Sequence, residues 1–300
     1  MVRIRQGSVA SRTRWAAAGF VFSTLLAGCG TDTGDAAPPA AVTVRVDYGA
    51  DPDTYGILHV PGGAGPHPVV VLVHGGGWRE DHDVTTFEPL ARSLADREVA
   101  VWNIEYRRVG GTGGWPVTLA DADNATEALT GPVQDAAGGR LDLDRVHLAG
   151  HSAGGHLAAW IAGRHTLPAD VPGAQPQVRP RSATIMAGVF DLSLAATDGH
   201  DAFVRGLLGG TPDEQPDRYA IASPIEHLPI GLSVVAVHGS ADTVVDPRQS
   251  RDYVAAAERA GDPARLQILD GAGHAEFGDA ASHSWTAARE IILGHVRESR

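Results

Sequence analysis

The chain has 300 residues, 43% of them apolar, which is enough for one large α/β domain or two small ones with a substantial core. All 24 basic residues are arginine against 36 acids, and the formal net charge is −12 at pH 7. So acidic a chain is a poor partner for nucleic acid or anionic lipid through charge, and its single cysteine, Cys29, excludes an internal disulfide.

Residues 1 to 28 carry Arg3, Arg5, Arg12 and Arg14 with no acid, then an apolar stretch from Trp15 to Leu26. That is a signal-peptide layout, and the stretch is shorter than the roughly 20 residues a membrane helix needs. Leu26, Ala27, Gly28 and Cys29 resemble the lipobox of bacterial lipoproteins, in which the cysteine is acylated after cleavage. Export and attachment to the outer side of the cell membrane through lipid on Cys29 are therefore expected; an ordinary secretory signal and an uncleaved anchor are the alternatives. Losing the four arginines of residues 1 to 28 takes the charge from −12 to −16. Residues 29 to 41, small and polar after the cysteine, read as a flexible tether, and the domain is expected from Val42 to residue 300.

Val42 to Asp47 alternates apolar and polar positions, and residues 56 to 60 form a second short extended run, which together predict an antiparallel opening. The texture then changes to unalternating apolar runs at 68–73, 99–104, 146–148, 183–189 and 232–237, as for strands buried on both faces. Helical patterns fall between or after them at about 84–97, 117–130, 153–164, 248–260 and 282–296, so the class is α/β with a mostly parallel open sheet. Residues 191 to 230 break this rhythm with four prolines and one short helical stretch near Phe203 to Leu208. They are read as a small lid over the site or as a surface excursion without function.

Four features follow strands, where ligands collect in such a sheet. Val146 and Leu148 run into Gly150, His151, Ser152, Ala153 and Gly154, the G-x-S-x-G spacing of a nucleophile elbow. The two glycines let the chain turn sharply under the serine, and the helix that follows offers the Ala153 N–H to a developing oxyanion. The run 69–73 leads into His74, Gly75, Gly76, Gly77 and Trp78, an H-G-G-G loop whose N–H groups can face a substrate oxygen. His74 is read as a structural hydrogen-bonder rather than a base. After 234–237 comes Asp242, with Asp246 as its rival, and after 266–269 comes His274, with His283 as competitor. Ser152, Asp242 and His274 thus stand in nucleophile, acid, base order. No H-E-x-x-H and no cysteine pair suggests a metal, and no cofactor is implied.

With these motifs, residues 55 to 296 resemble the α/β hydrolase superfamily, within it the esterase and lipase branch with an H-G-G-G loop and the arylformamidase-like relatives. The resemblance implies a serine hydrolase acting through an acyl-enzyme, with Gly75, Gly76, Gly77 and Ala153 as oxyanion hole and a small-molecule ester as substrate. Trp78 and Trp115 are expected to wall an apolar acyl or alcohol pocket. An arylformamidase, a peptidase of the prolyl oligopeptidase type and a ligand-binding pseudoenzyme are the competing readings.

Overall fold

The computed structural model describes residues 39–197 and 201–298. Cys29, the signal region and the tether as far as residue 38 lie outside the described residues. Eight strands, β1 (Val42–Asp47), β2 (Tyr55–Val60), β3 (His67–Val73), β4 (Ala100–Ile104), β5 (Leu141–His151), β6 (Ser182–Met186), β7 (Ser233–Gly239) and β8 (Ala264–Leu269), form one sheet. Their order is β1-β2-β4-β3-β5-β6-β7-β8. The pairs β1/β2 and β2/β4 are antiparallel and all later pairs parallel, so β2 alone runs against the rest.

The unalternating runs have the expected cause. In β3, Val69, Val71 and Val73 join one buried cluster while Val70 and Leu72 join another on the opposite face. The first cluster is completed by α2 (Val117–Glu127), α3 (Pro132–Ala136), α4 (Ala153–Gly163) and α8 (Arg248–Ala260), and the second by α1 (Glu88–Ala95) and α9 (His283–Glu298). Helices on both faces exclude water from every strand of the middle of the sheet, and each fully buried valine there contributes on the order of 1.5–3 kcal/mol relative to exposure. α8 ends where Gly261 takes φ 94° and its N–H reaches the Ala257 and Glu258 carbonyls, a left-handed cap that favours glycine.

Two expectations change. β5 begins at Leu141, five residues before the apolar run, because residues 141 and 142 pair with His67 and Pro68 ahead of a register shift. The excursion after β6 carries three α-helices, α5 (Leu192–Ala195), α6 (Asp201–Leu208) and α7 (Pro216–Ala222), instead of one. Pro216 opens α7, where a missing N–H costs nothing. Because β3, β5, β7 and β8 are mutually parallel, their carboxyl ends emerge along one edge of the sheet.

Candidate active site

At the end of β5 the chain reverses into α4 through Ser152, whose φ of 56° and ψ of −122° lie outside the regions open to ordinary side chains. The elbow explains its glycines by close approach. A Cβ on Gly150 would stand 2.2 Å from Gly154 O, and one on Gly154 would stand 2.2 Å from Val73 O and 2.3 Å from His74 O. The strained turn is pinned from both sides, Ser152 N–H donating to Met186 O at 2.9 Å and His156 N–H to Ser152 O at 2.9 Å.

Asp242 follows β7 and is buried. Its Oδ1 accepts the N–H groups of Val244 and Val245, each at 2.9 Å, and its Oδ2 accepts from His274 Nδ1 at 2.8 Å. Burial pushes its pKa up, but the hydrogen bonds from His238, His274 and Val245 outweigh burial and hold the carboxyl below the ordinary carboxylate range. An ionised Asp242 fixes the His274 proton on Nδ1 and leaves Nε2 as the basic nitrogen. The rivals stand elsewhere. Asp246 Oδ1 accepts the Arg248 N–H at 2.8 Å, and His283 is exposed at the start of α9.

His274 is itself held from behind. His151 Nε2 donates to the His274 carbonyl at 3.0 Å, and the two rings lie 4.6 Å apart. Burial brings the His151 pKa down to about 3, so it is neutral near pH 7 and serves as a support, not a second base.

The glycine loop after β3 lies over the elbow, with a Cβ on Gly75 falling 2.9 Å from His151 O. Gly76 and Gly77 take φ of 113° and 62°. Among the described residues no acceptor is found for the N–H of Gly76, Gly77 or Ala153. Beneath the loop His74 bridges Glu105 Oε1, 2.9 Å from its Nε2, and Gly75 O, 2.8 Å from its Nδ1, the structural task expected of it. Trp78, at φ 57°, donates its indole N–H to His156 Nδ1 at 3.2 Å, and His156 Nε2 donates to Ala222 O at 2.8 Å. This hydrogen-bonded chain ties the glycine loop to the end of α7.

A cavity of about 420 Å³ gathers Ser152, His274, Ala153, Gly75, Gly76, Gly77 and Trp78 on its walls. Asp242 stands behind His274, and Trp115 does not line the cavity. Trp115 packs against the core with its backbone N–H on Leu207 O at 2.7 Å, which corrects the expectation that it walls the pocket. The rest of the wall comes from residues that carry no sequence motif, among them Val189, Ala195, Phe203, Val204, Val244 and Val245. Phe203 of α6 lies directly on the glycine loop, its ring 2.7 Å from where a Gly77 Cβ would be. Among the described residues no cluster of three His, Cys, Asp or Glu is placed to hold a metal, and no helix is long and apolar enough to cross a membrane.

The family whose model matches this chain is described as BD-FAE, and the match runs over residues 57–256, two thirds of the sequence. The chain belongs to the BD-FAE family. Two curated relatives come from Mycobacterium tuberculosis. "Probable carboxylic ester hydrolase LipM" is 27% identical over 63% of this chain and 44% of its own, and "Esterase LipQ" is 28% identical over 65% and 46%. The chain thus spans less than half the length of these relatives. Among solved structures, a bifunctional GH43-CE protein of Bacteroides eggerthii matches with a TM-score of 0.71 at 25% identity, over 85% of this chain and 38% of that one. Est2 of Thermogutta terrifontis, bound to butyrate, matches with a TM-score of 0.67 at 24% identity, over 87% and 94%. The fold is that of the α/β hydrolases.

The buried histidines of this BD-FAE chain give it a built-in acid sensitivity. Burial holds His156 down to about 4 and His151 down to about 3, whereas a histidine in an unfolded chain titrates near 6.5. Below about pH 6.5 the unfolded chain therefore binds protons that the folded one refuses, and stability falls as pH falls, by about 1.4 kcal/mol per unit for each such histidine until its folded pKa is reached. The urea midpoint is expected to be clearly lower at pH 5 than at pH 7. Equal midpoints would refute this.

Proposed function

We propose that this protein is a carboxylic ester hydrolase that cleaves small or medium esters through a Ser152 acyl-enzyme. The observation that carries the reading is a single cavity lined by a strained serine, a carboxylate-held histidine and the glycine loop. Membership of the BD-FAE family and the names of the two mycobacterial relatives support the ester class.

In this mechanism His274 Nε2 takes the Ser152 proton as Oγ attacks the ester carbonyl, and Asp242 stabilises the resulting imidazolium. The N–H groups of Ala153 and of the Gly75 to Gly77 loop bind the oxyanion, and among the described residues those of Gly76, Gly77 and Ala153 have no acceptor to give up first. His274 returns the proton to the departing alkoxide. Water activated by the same nitrogen then releases the acid. A cavity of about 420 Å³ lies near the lower end of the roughly 300–1,000 Å³ usual for ligand sites, which favours short acyl chains.

On purified mature domain, p-nitrophenyl acetate and butyrate are expected to be cleaved much faster than the palmitate, with N-formylkynurenine and proline-linked anilides slower still. A kcat/KM on the formamide more than tenfold above that on every short ester would replace this reading with an arylformamidase. We propose further that the protein is exported and anchored through lipid on Cys29, on the sequence motif alone. Cys29→Ser is expected to move it from the membrane fraction to the soluble exported fraction, and wild type found mainly in the cytoplasm with its amino end intact would sink the idea.

A further inference from the structure

Asp242 is held by two histidines, and only one of them lines the cavity. His238 lies in β7, four residues before Asp242, and is fully buried. Its Nδ1 meets Ser250 Oγ at 2.7 Å, while its Nε2 stands 3.0 Å from Val245 O and 3.2 Å from Asp242 Oδ2. A carbonyl and an ionised carboxylate can only accept, so Nε2 carries the ring proton and shares it between them, and the Ser250 hydroxyl donates to Nδ1. Asp242 Oδ2 is the same oxygen that receives the His274 Nδ1 proton.

We propose that His238 is a positioning residue for the reaction, its Nε2–H fixing the Asp242 carboxylate and drawing off part of the charge on Oδ2 that otherwise acts wholly on His274. The inference rests on the triad reading given above. Each hydrogen bond to a carboxylate makes it a weaker base. With His238 in place, Asp242 orients His274 and supports its imidazolium without raising the basicity of Nε2 as far as an otherwise unpartnered carboxylate would. The remaining groups facing the pair are His151, whose ring lies 4.6 Å from that of His274 and tilted to it at the end of β5, and the Val244 and Val245 N–H groups on Oδ1. Asp246 turns away, toward Arg248.

The test compares two substitutions that differ in reach. An asparagine amide stops near the position of Nδ1, where it retains Ser250 but loses Asp242. A glutamine amide reaches the position of Nε2. In His238→Asn the acid-limb midpoint of kcat/KM is expected to rise by about one pH unit, since an unshared carboxylate stabilises the His274 imidazolium more strongly. In His238→Gln it stays at the wild-type value. Following the pH dependence of fluorophosphonate labelling gives the same midpoint whatever fraction of a variant folds. An unmoved midpoint in His238→Asn, even with kcat lowered at every pH, overturns the proposal, and so does an equal shift in His238→Gln. Activity surviving in Asp242→Asn would instead remove the triad reading itself, whereas an inactive Asp242→Asn beside an unmoved His238→Asn midpoint removes only the role of His238.

Discussion

Ser152→Ala is expected to lower kcat on short esters by about five orders of magnitude while leaving the folded protein as stable as wild type. Alanine keeps the serine Cβ and removes only the hydroxyl, so the cost falls on chemistry. His274→Ala should cost nearly as much, and the double variant little more than either single one, because nucleophile and base act as one unit and each is useless without the other. Asp242→Asn is expected to lose about 10⁴-fold, since an amide at that place presents a donor to Nδ1 and inverts the tautomer that catalysis needs. Asp246→Asn should keep near-normal activity, its carboxylate facing Arg248. A fluorophosphonate probe should label wild type at Ser152 and fail on Ser152→Ala. Activity kept in Asp242→Asn and lost in Asp246→Asn would move the acid to the rival position.

The second large effect is one of backbone contact. Glycine to alanine inside a helix ordinarily stabilises by roughly 0.5–1 kcal/mol, because glycine has more freedom to lose. At Gly154, in the first turn of α4, the sign reverses. The added methyl would lie 2.2 Å from Val73 O and 2.3 Å from His74 O, two main-chain atoms at the end of a central strand that have nowhere to go. Gly154→Ala is therefore expected to cost roughly 3 kcal/mol or more, a Tm lower by about 6–12 °C, together with loss of probe labelling as the elbow is displaced. Gly294→Ala, in α9 with nothing within 4 Å of the new methyl, should raise Tm slightly and leave activity alone. Thermal melts of the two variants side by side check the argument, and a Gly154→Ala protein as stable as wild type would overturn it.

What the sequence makes legible here is whatever has a period or a motif. Val69 to Val73 reads as a doubly buried strand because water is excluded from both of its faces, and Gly75 after β3 and Gly150 and Gly154 around the end of β5 stand where a side chain would strike main-chain atoms. The first half of β5 is hidden because Asp142, Asp144 and Arg145 break the apolar run, and the pairing of Leu141 and Asp142 with β3 is a tertiary fact. Likewise Ala195, Phe203 and Val204 enter the cavity wall from a proline-broken excursion whose course no local pattern sets. Trp115 misleads for the opposite reason. A large aromatic beside glycines suggests an exposed wall, but its place is decided by packing against the core. His238 gives no signal either, since its bond to Asp242 depends on how the turn after β7 folds back on the strand.

The hydrogen-bonded chain from Trp78 through His156 to Ala222 O also bears on how chains of this family can be recombined. An excursion between strands is usually the easiest part to exchange among homologues, since insertions are best tolerated in surface connections. Here the excursion supplies the acceptor that fixes the His156 tautomer, and that tautomer presents the lone pair to which the Trp78 indole donates. A donor segment of the same length and polarity that lacked a carbonyl at the position of Ala222 would free the imidazole proton to migrate to Nδ1, where it would oppose the indole N–H. Transplants of this region thus have a compatibility rule written in one main-chain oxygen, and shuffling across it should succeed or fail on that atom before any side chain of the graft meets a substrate.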